Sequence, residues 1–128
     1  MVMDIVAVIV VTVVGMGLGA LWYGPLLGKA WQAETGLTDE KIADANMGLI
    51  MGTATLLELI AAIIFLFMAD DGSAFNGVQV GALASMFFAI GLGINYLFER
   101  QSMKLYLINI GYMSLTFILM GVIIGFLR

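Results

Sequence analysis

The chain has no cysteine and no histidine, a single proline, and charged side chains at only 11% of its 128 positions. Each absence removes chemistry. Without Cys there is no disulfide and no thiolate nucleophile. Without Cys and His together there is no Cys/His zinc site, no haem with a His or Cys ligand, and no iron–sulfur cluster. Cys–His and Ser–His–Asp catalysis fall with them. No catalytic, metal-binding or cofactor-binding residue is therefore assigned, and the expectation is a protein that is not an enzyme. No basic patch offers a nucleic-acid footprint. The net charge of −4 comes from carboxylates scattered in short loops, not from an acidic block.

What remains is apolar. Hydrophobic residues make up 62% of the chain, against about half in a soluble domain. One small core cannot hide that much apolar side chain, so lipid is the solvent for much of the surface. Four apolar runs stand out, near 3–21, 47–68, 75–98 and 105–127. Each is long enough to cross about 30 Å of hydrocarbon at about 1.5 Å per residue. The first run reads as a span and not as a signal peptide, because it lacks a basic leader and is longer than the usual apolar segment of one. The predicted architecture is all-α, a single-domain, polytopic four-transmembrane-helix bundle.

The breaks between runs have physical causes. Pro25 follows the first run and ends it. The stretches Ala69-Asp70-Asp71-Gly72-Ser73 and Glu99-Arg100-Gln101-Ser102 read as polar turns. Between residues 28 and 46 lies the longest connection. Within it Thr38, followed by Asp39 and Glu40, predicts a short surface helix from Asp39 that runs toward the second span.

Loops one and three carry Lys29, Lys41, Arg100 and Lys104, four of the five basic residues. The positive-inside bias predicts those loops in the cytoplasm and both termini outside. Trp22, Tyr23, Trp31, Tyr96 and Tyr106 cluster at the same boundary, as an interfacial belt does. Small-residue pairs, Gly15/Gly19, Gly48/Gly52, Gly77/Gly81 and Gly121/Gly125, mark close helix approach within one bundle, or in one case between copies of a homo-oligomer.

Glu58 lies near the middle of the second run. On a helical projection Met51, Ala54, Thr55, Ala61 and Ala62 fall within about 60° of it, and bulkier Leu and Ile residues occupy the far side. That arrangement turns Glu58 toward other helices. No basic residue lies at comparable depth, so hydrocarbon favours its neutral, protonated form. It is the candidate intramembrane proton or ion site. The alternative is a protonated carboxyl donating an interhelical hydrogen bond to a carbonyl, Thr or Asn. Small four-span multidrug exporters use a membrane glutamate comparably, but theirs is in the first span. Asn95 and Asn109 sit at equal offsets from loop three and so at equal depth across a hairpin, where they can bond to each other or to backbone as a polar clamp, or line a cytoplasmic vestibule. Glu99 is read as a loop charge, or as a partner of Lys29.

Two blocks carry a resemblance. One is Leu21-Trp22-Tyr23-Gly24-Pro25-Leu26-Leu27-Gly28-Lys29-Ala30-Trp31. The other runs from Asn95-Tyr96-Leu97-Phe98-Glu99-Arg100 through Leu105, Leu107-Ile108-Asn109 and Gly111-Tyr112. Together they resemble the small bacterial membrane family called domain of unknown function 1761. That pattern has Ser where Gly24 stands and Phe where Leu27 stands. The resemblance implies a four-span protein of the bacterial inner membrane with no assigned activity. It also implies that Trp22, Tyr23, Lys29, Trp31, Asn95, Glu99, Asn109 and Tyr112 form one cytoplasmic-side polar cluster. Glu58 is outside the motif.

Three functions fit these residues. The leading one is a structural or accessory membrane protein in contact with lipid, homo-oligomeric or part of a larger membrane complex. A small oligomeric proton- or cation-linked transporter or channel using Glu58 is the alternative. A lipid-interacting enzyme is the third.

Overall fold

The computed structural model describes residues 1–69 and 73–127, and within them the chain is helical apart from short joints and contains no strand. Asp70, Asp71 and Gly72 of the predicted second turn, and Arg128, lie outside the described residues. Helix α1 (Val2–Leu21) continues through a π turn (Trp22–Leu26). Then come α2 (Gly28–Thr35), α3 (Asp39–Asp44), α4 (Met47–Met68), α5 (Ala74–Glu99) and α6 (Met103–Leu127). Among the described residues four helices are long and apolar enough to cross a membrane, α1 with its π turn, α4, α5 and α6. The chain is a multi-pass membrane protein of four spans.

The π turn follows from Pro25. Proline lacks an N–H and keeps the preceding residue out of helical geometry. Gly24 accordingly takes φ −105°, ψ −105°. The Leu27 N–H then reaches five residues back to the Trp22 carbonyl at 2.8 Å. The wide turn leads into α2, a helix within the connection 28–46 where the sequence predicts only the short helix from Asp39. Gly28 permits this turn: a Cβ there would stand 2.6 Å from the Tyr23 carbonyl oxygen. Gly36, at φ +76°, ends α2 in the left-handed conformation natural to glycine.

Thr38 caps α3 by accepting from the Lys41 N–H at 3.2 Å, as Ser/Thr caps do. The helix does not run into the second span. Asn46 accepts from the Leu49 N–H at 3.1 Å and starts α4 afresh. Ser73 and Ser102 cap α5 and α6 in the same way, through the N–H groups of Asn76 and Leu105.

Helix α6 is the hub, packing against α5, α1 and α4. The α5–α6 hairpin is closest where glycines face each other. A methyl on Gly77 would strike the Gly121 carbonyl, and one on Gly121 would strike that of Gly77. The apolar core lies between α1, α4 and α6, around Val11, Ala62, Phe65, Met120 and Ile124. Outward faces carry large apolar side chains such as Phe67, 80% exposed, and Phe98, 86% exposed. In water such a surface would be untenable; in hydrocarbon it is the expected exterior. Loops one and three share one end of the bundle, where the Ser102 hydroxyl donates to the Glu34 carboxylate.

Candidate functional site

Glu58 is the twelfth residue of the 22-residue helix α4, about 17 Å along it at 1.5 Å per residue. Its carboxyl meets α1 and α6 together. The Tyr112 hydroxyl of α6 lies 2.9 Å from Glu58 Oε1 and 2.8 Å from the Gly15 carbonyl oxygen of α1. Glu58 Oε2 is buried with no hydrogen-bond partner. It rests on the bare Cα face of Gly15, where any Cβ would overlap the carboxyl. One turn along α1, a Cβ on Gly19 would come within 3.0 Å of the Tyr112 hydroxyl. The Gly15/Gly19 pair thus makes room for two polar side chains.

A phenol has one hydrogen to donate. The Gly15 carbonyl already accepts within its own helix, so that hydrogen can serve Glu58 Oε1 or be shared between the two acceptors. With a proton on Glu58, each contact has a hydrogen of its own, Glu58 donating to Tyr112 and Tyr112 to Gly15. In either arrangement the Tyr112 hydroxyl joins α1, α4 and α6.

A cavity of about 970 Å³ opens between α1, α4 and α6 and reaches Glu58. Five of the ten methionines converge on it: Met16, Met47, Met51, Met113 and Met120. Methionine is unbranched and polarizable, and such linings adapt to ligands of different shape. Leu37, Lys41, Ile42 and Ala45, from α3 and its flanks, form the rim toward loop one. Sequence reasoning did not find this cavity, although the methionine count was its available signal.

An aromatic series runs from the rim to Glu58. Tyr23 packs edge-on against Trp31, ring centroids 5.4 Å apart, and against Tyr112 at 5.3 Å. All three rings line the cavity.

The predicted cluster separates into groups. Trp22 Nε1 donates to the Ile108 carbonyl at 2.8 Å, over Gly111, where a Cβ would lie 2.8 Å from the indole. The Tyr23 hydroxyl donates to Asn109 Oδ1 at 2.7 Å, and Asn109 Nδ2 donates to the Tyr96 hydroxyl at 2.6 Å. Trp22, Tyr23, Trp31, Asn109 and Tyr112 therefore come together. Asn95, Glu99 and Lys29 do not join them; all three are exposed. Asn109 bonds to tyrosines on either side, not to Asn95 as the equal offsets suggested. Glu34 and Ser102, not Lys29 and Glu99, link the two loops. Among the described residues no three acidic side chains converge as a metal cage requires.

A family model described as "Protein of unknown function (DUF1761)" matches residues 6–125, nearly the whole bundle. The chain belongs to this family. No curated protein matches it, and no solved structure does.

Proposed function

We propose that this DUF1761 protein is a membrane-embedded binding protein that takes an apolar, membrane-soluble molecule into the cavity between α1, α4 and α6. One observation carries the reading: a methionine-lined space of about 970 Å³ reaches a lone intramembrane carboxyl. Ligand pockets run to about 300–1,000 Å³, with apolar walls and a few placed polar groups. The wall here is overwhelmingly hydrocarbon, which suits a lipophilic ligand better than a file of hydrated ions. The reading assigns no reaction, since Glu58's neighbours are a phenol and a backbone carbonyl. It places the protein in the bacterial inner membrane, with loops one and three cytoplasmic and both termini outside.

A structural or accessory role is the second reading, supported by a different observation. The polar groups of Trp22, Tyr23, Asn109 and Tyr112 all bond across helices. One experiment separates the two. In a Trp22→Phe background Trp31 is the remaining indole. Quenching of Trp31 by dibromododecane, in protein held in nonionic detergent, is expected to saturate. The cavity-filling variant Ala54→Phe is expected to abolish saturation while melting at the native temperature. Quenching that rises linearly in both proteins would leave the structural role.

A further inference from the structure

Among the described residues the cavity wall carries one carboxyl, Glu58, and a row of aromatic rings leading to it. Resting on the reading of the cavity as a binding site, we propose that its ligand class is the lipophilic organic cation, exchanged one for one against the Glu58 proton.

With Glu58 protonated, the junction with Tyr112 and Gly15 is neutral and every short contact holds a hydrogen. An organic cation arriving beside the carboxyl releases that proton to water, and the junction is neutral again as carboxylate and cation. The Tyr112 hydrogen then turns from Gly15 to Glu58 Oε1. The Gly15 carbonyl keeps the hydrogen bond of its own helix. Neither state leaves a net charge in hydrocarbon, where an unpaired ion is costly.

Trp31, Tyr23 and Tyr112 lie in edge contact from the rim to the carboxyl. Aromatic faces attract cations through the ring quadrupole, more strongly where water is excluded. The methionine walls accept irregular apolar groups. A compact, strongly hydrated ion gains little from such a lining, whereas a tetra-aryl or tetra-alkyl cation is already weakly hydrated.

Other ionisable groups facing the site are few. From α1, Gly15 and Gly19 present only backbone. From α6 comes Tyr112. At the rim stand Tyr23 and Lys41, the latter exposed and so screened by water.

The test uses two ions of one shape and opposite charge, tetraphenylphosphonium and tetraphenylborate. Each is titrated by calorimetry into the full chain in nonionic detergent, with a pH-sensitive dye reporting released protons. The native protein is expected to bind tetraphenylphosphonium with one proton released per cation, and to bind it more weakly in acidic buffer. Glu58→Gln, whose amide still reaches Tyr112, is expected to weaken cation binding about tenfold and to abolish proton release. Tetraphenylborate should be indifferent to that change. Trp31→Leu, at the other end of the aromatic series from the carboxyl, is expected to weaken the cation about threefold. Thermal melting confirms that both variants fold. Equal binding of the two ions, or a Glu58→Gln protein that still releases a proton, overturns the proposal. If dibromododecane still saturates in that case, the cavity reading stands and the cation class falls. If neither the alkane nor the ions bind, both fall.

Discussion

Gly15 and Glu58 share one volume: the space a Cβ would occupy on Gly15 already holds the Glu58 carboxyl. The glycine on α1 and the acid on α4 thus depend on each other, although 42 positions of sequence separate them.

Gly15→Ala is expected to push α1 from α4 and destabilise the bundle by about 1–3 kcal/mol, the usual penalty for overpacking. Gly17→Ala, two residues along the same helix, meets nothing within 4 Å and is expected to be neutral or mildly stabilising. Melting temperatures of the two variants in detergent check the contrast. The double variant Gly15→Ala/Glu58→Ala should recover part of the loss.

Tyr112→Phe removes the hydroxyl that bridges Gly15 and Glu58. A buried polar group left without its partner loses about 1–3 kcal/mol. Tyr112→Phe and Glu58→Leu should therefore be non-additive in a double-mutant cycle read by thermal melting. Additive effects would mean that the two side chains do not interact.

Much of the architecture was legible in the sequence, because each span announces itself by length and apolarity. The second run and α4 agree at both ends, 47–68. The α2 helix was not legible: its short segment carries no sustained period, and its direction is set by the Pro25 turn. The site was legible in part. Glu58 stands out as a charge in hydrocarbon, and the family resemblance groups Tyr23, Asn109 and Tyr112 in one cluster. Their partners were not legible, since equal depth in a hairpin says nothing about rotation. α5 turns Asn95 outward and Tyr96 inward, so Tyr96 meets Asn109. Likewise GxxxG spacing marks close approach without saying to what. Gly15/Gly19 faces side chains, Gly77 faces backbone, and Gly52 has nothing within 4 Å.

That last difference bears on assembly. Gly77→Ala is expected to disrupt the α5–α6 hairpin and lower the melting temperature. Gly52→Ile is expected to leave monomer stability within about 0.5 kcal/mol, as exposed substitutions do. If copies associate through the Gly48/Gly52 face of α4, Gly52→Ile shifts the species seen by light scattering in detergent to a smaller mass. An unchanged mass excludes that face as the contact.

Lys41 stands at the cavity rim. Reversing its charge with Lys41→Glu is expected to speed entry of tetraphenylphosphonium several-fold at low ionic strength. The gain should vanish at high salt, because rim charges act over about 8–10 Å and are screened. Stopped-flow quenching of Trp31 measures the effect.

The most direct test is the infrared absorption of the Glu58 carboxyl, isolated as the difference between native protein and Glu58→Gln. The empty native protein should show a protonated-carboxyl C=O band. Saturation with tetraphenylphosphonium should replace that band with carboxylate absorption. A carboxylate spectrum in the empty protein, or a protonated band untouched by the cation, would contradict the account.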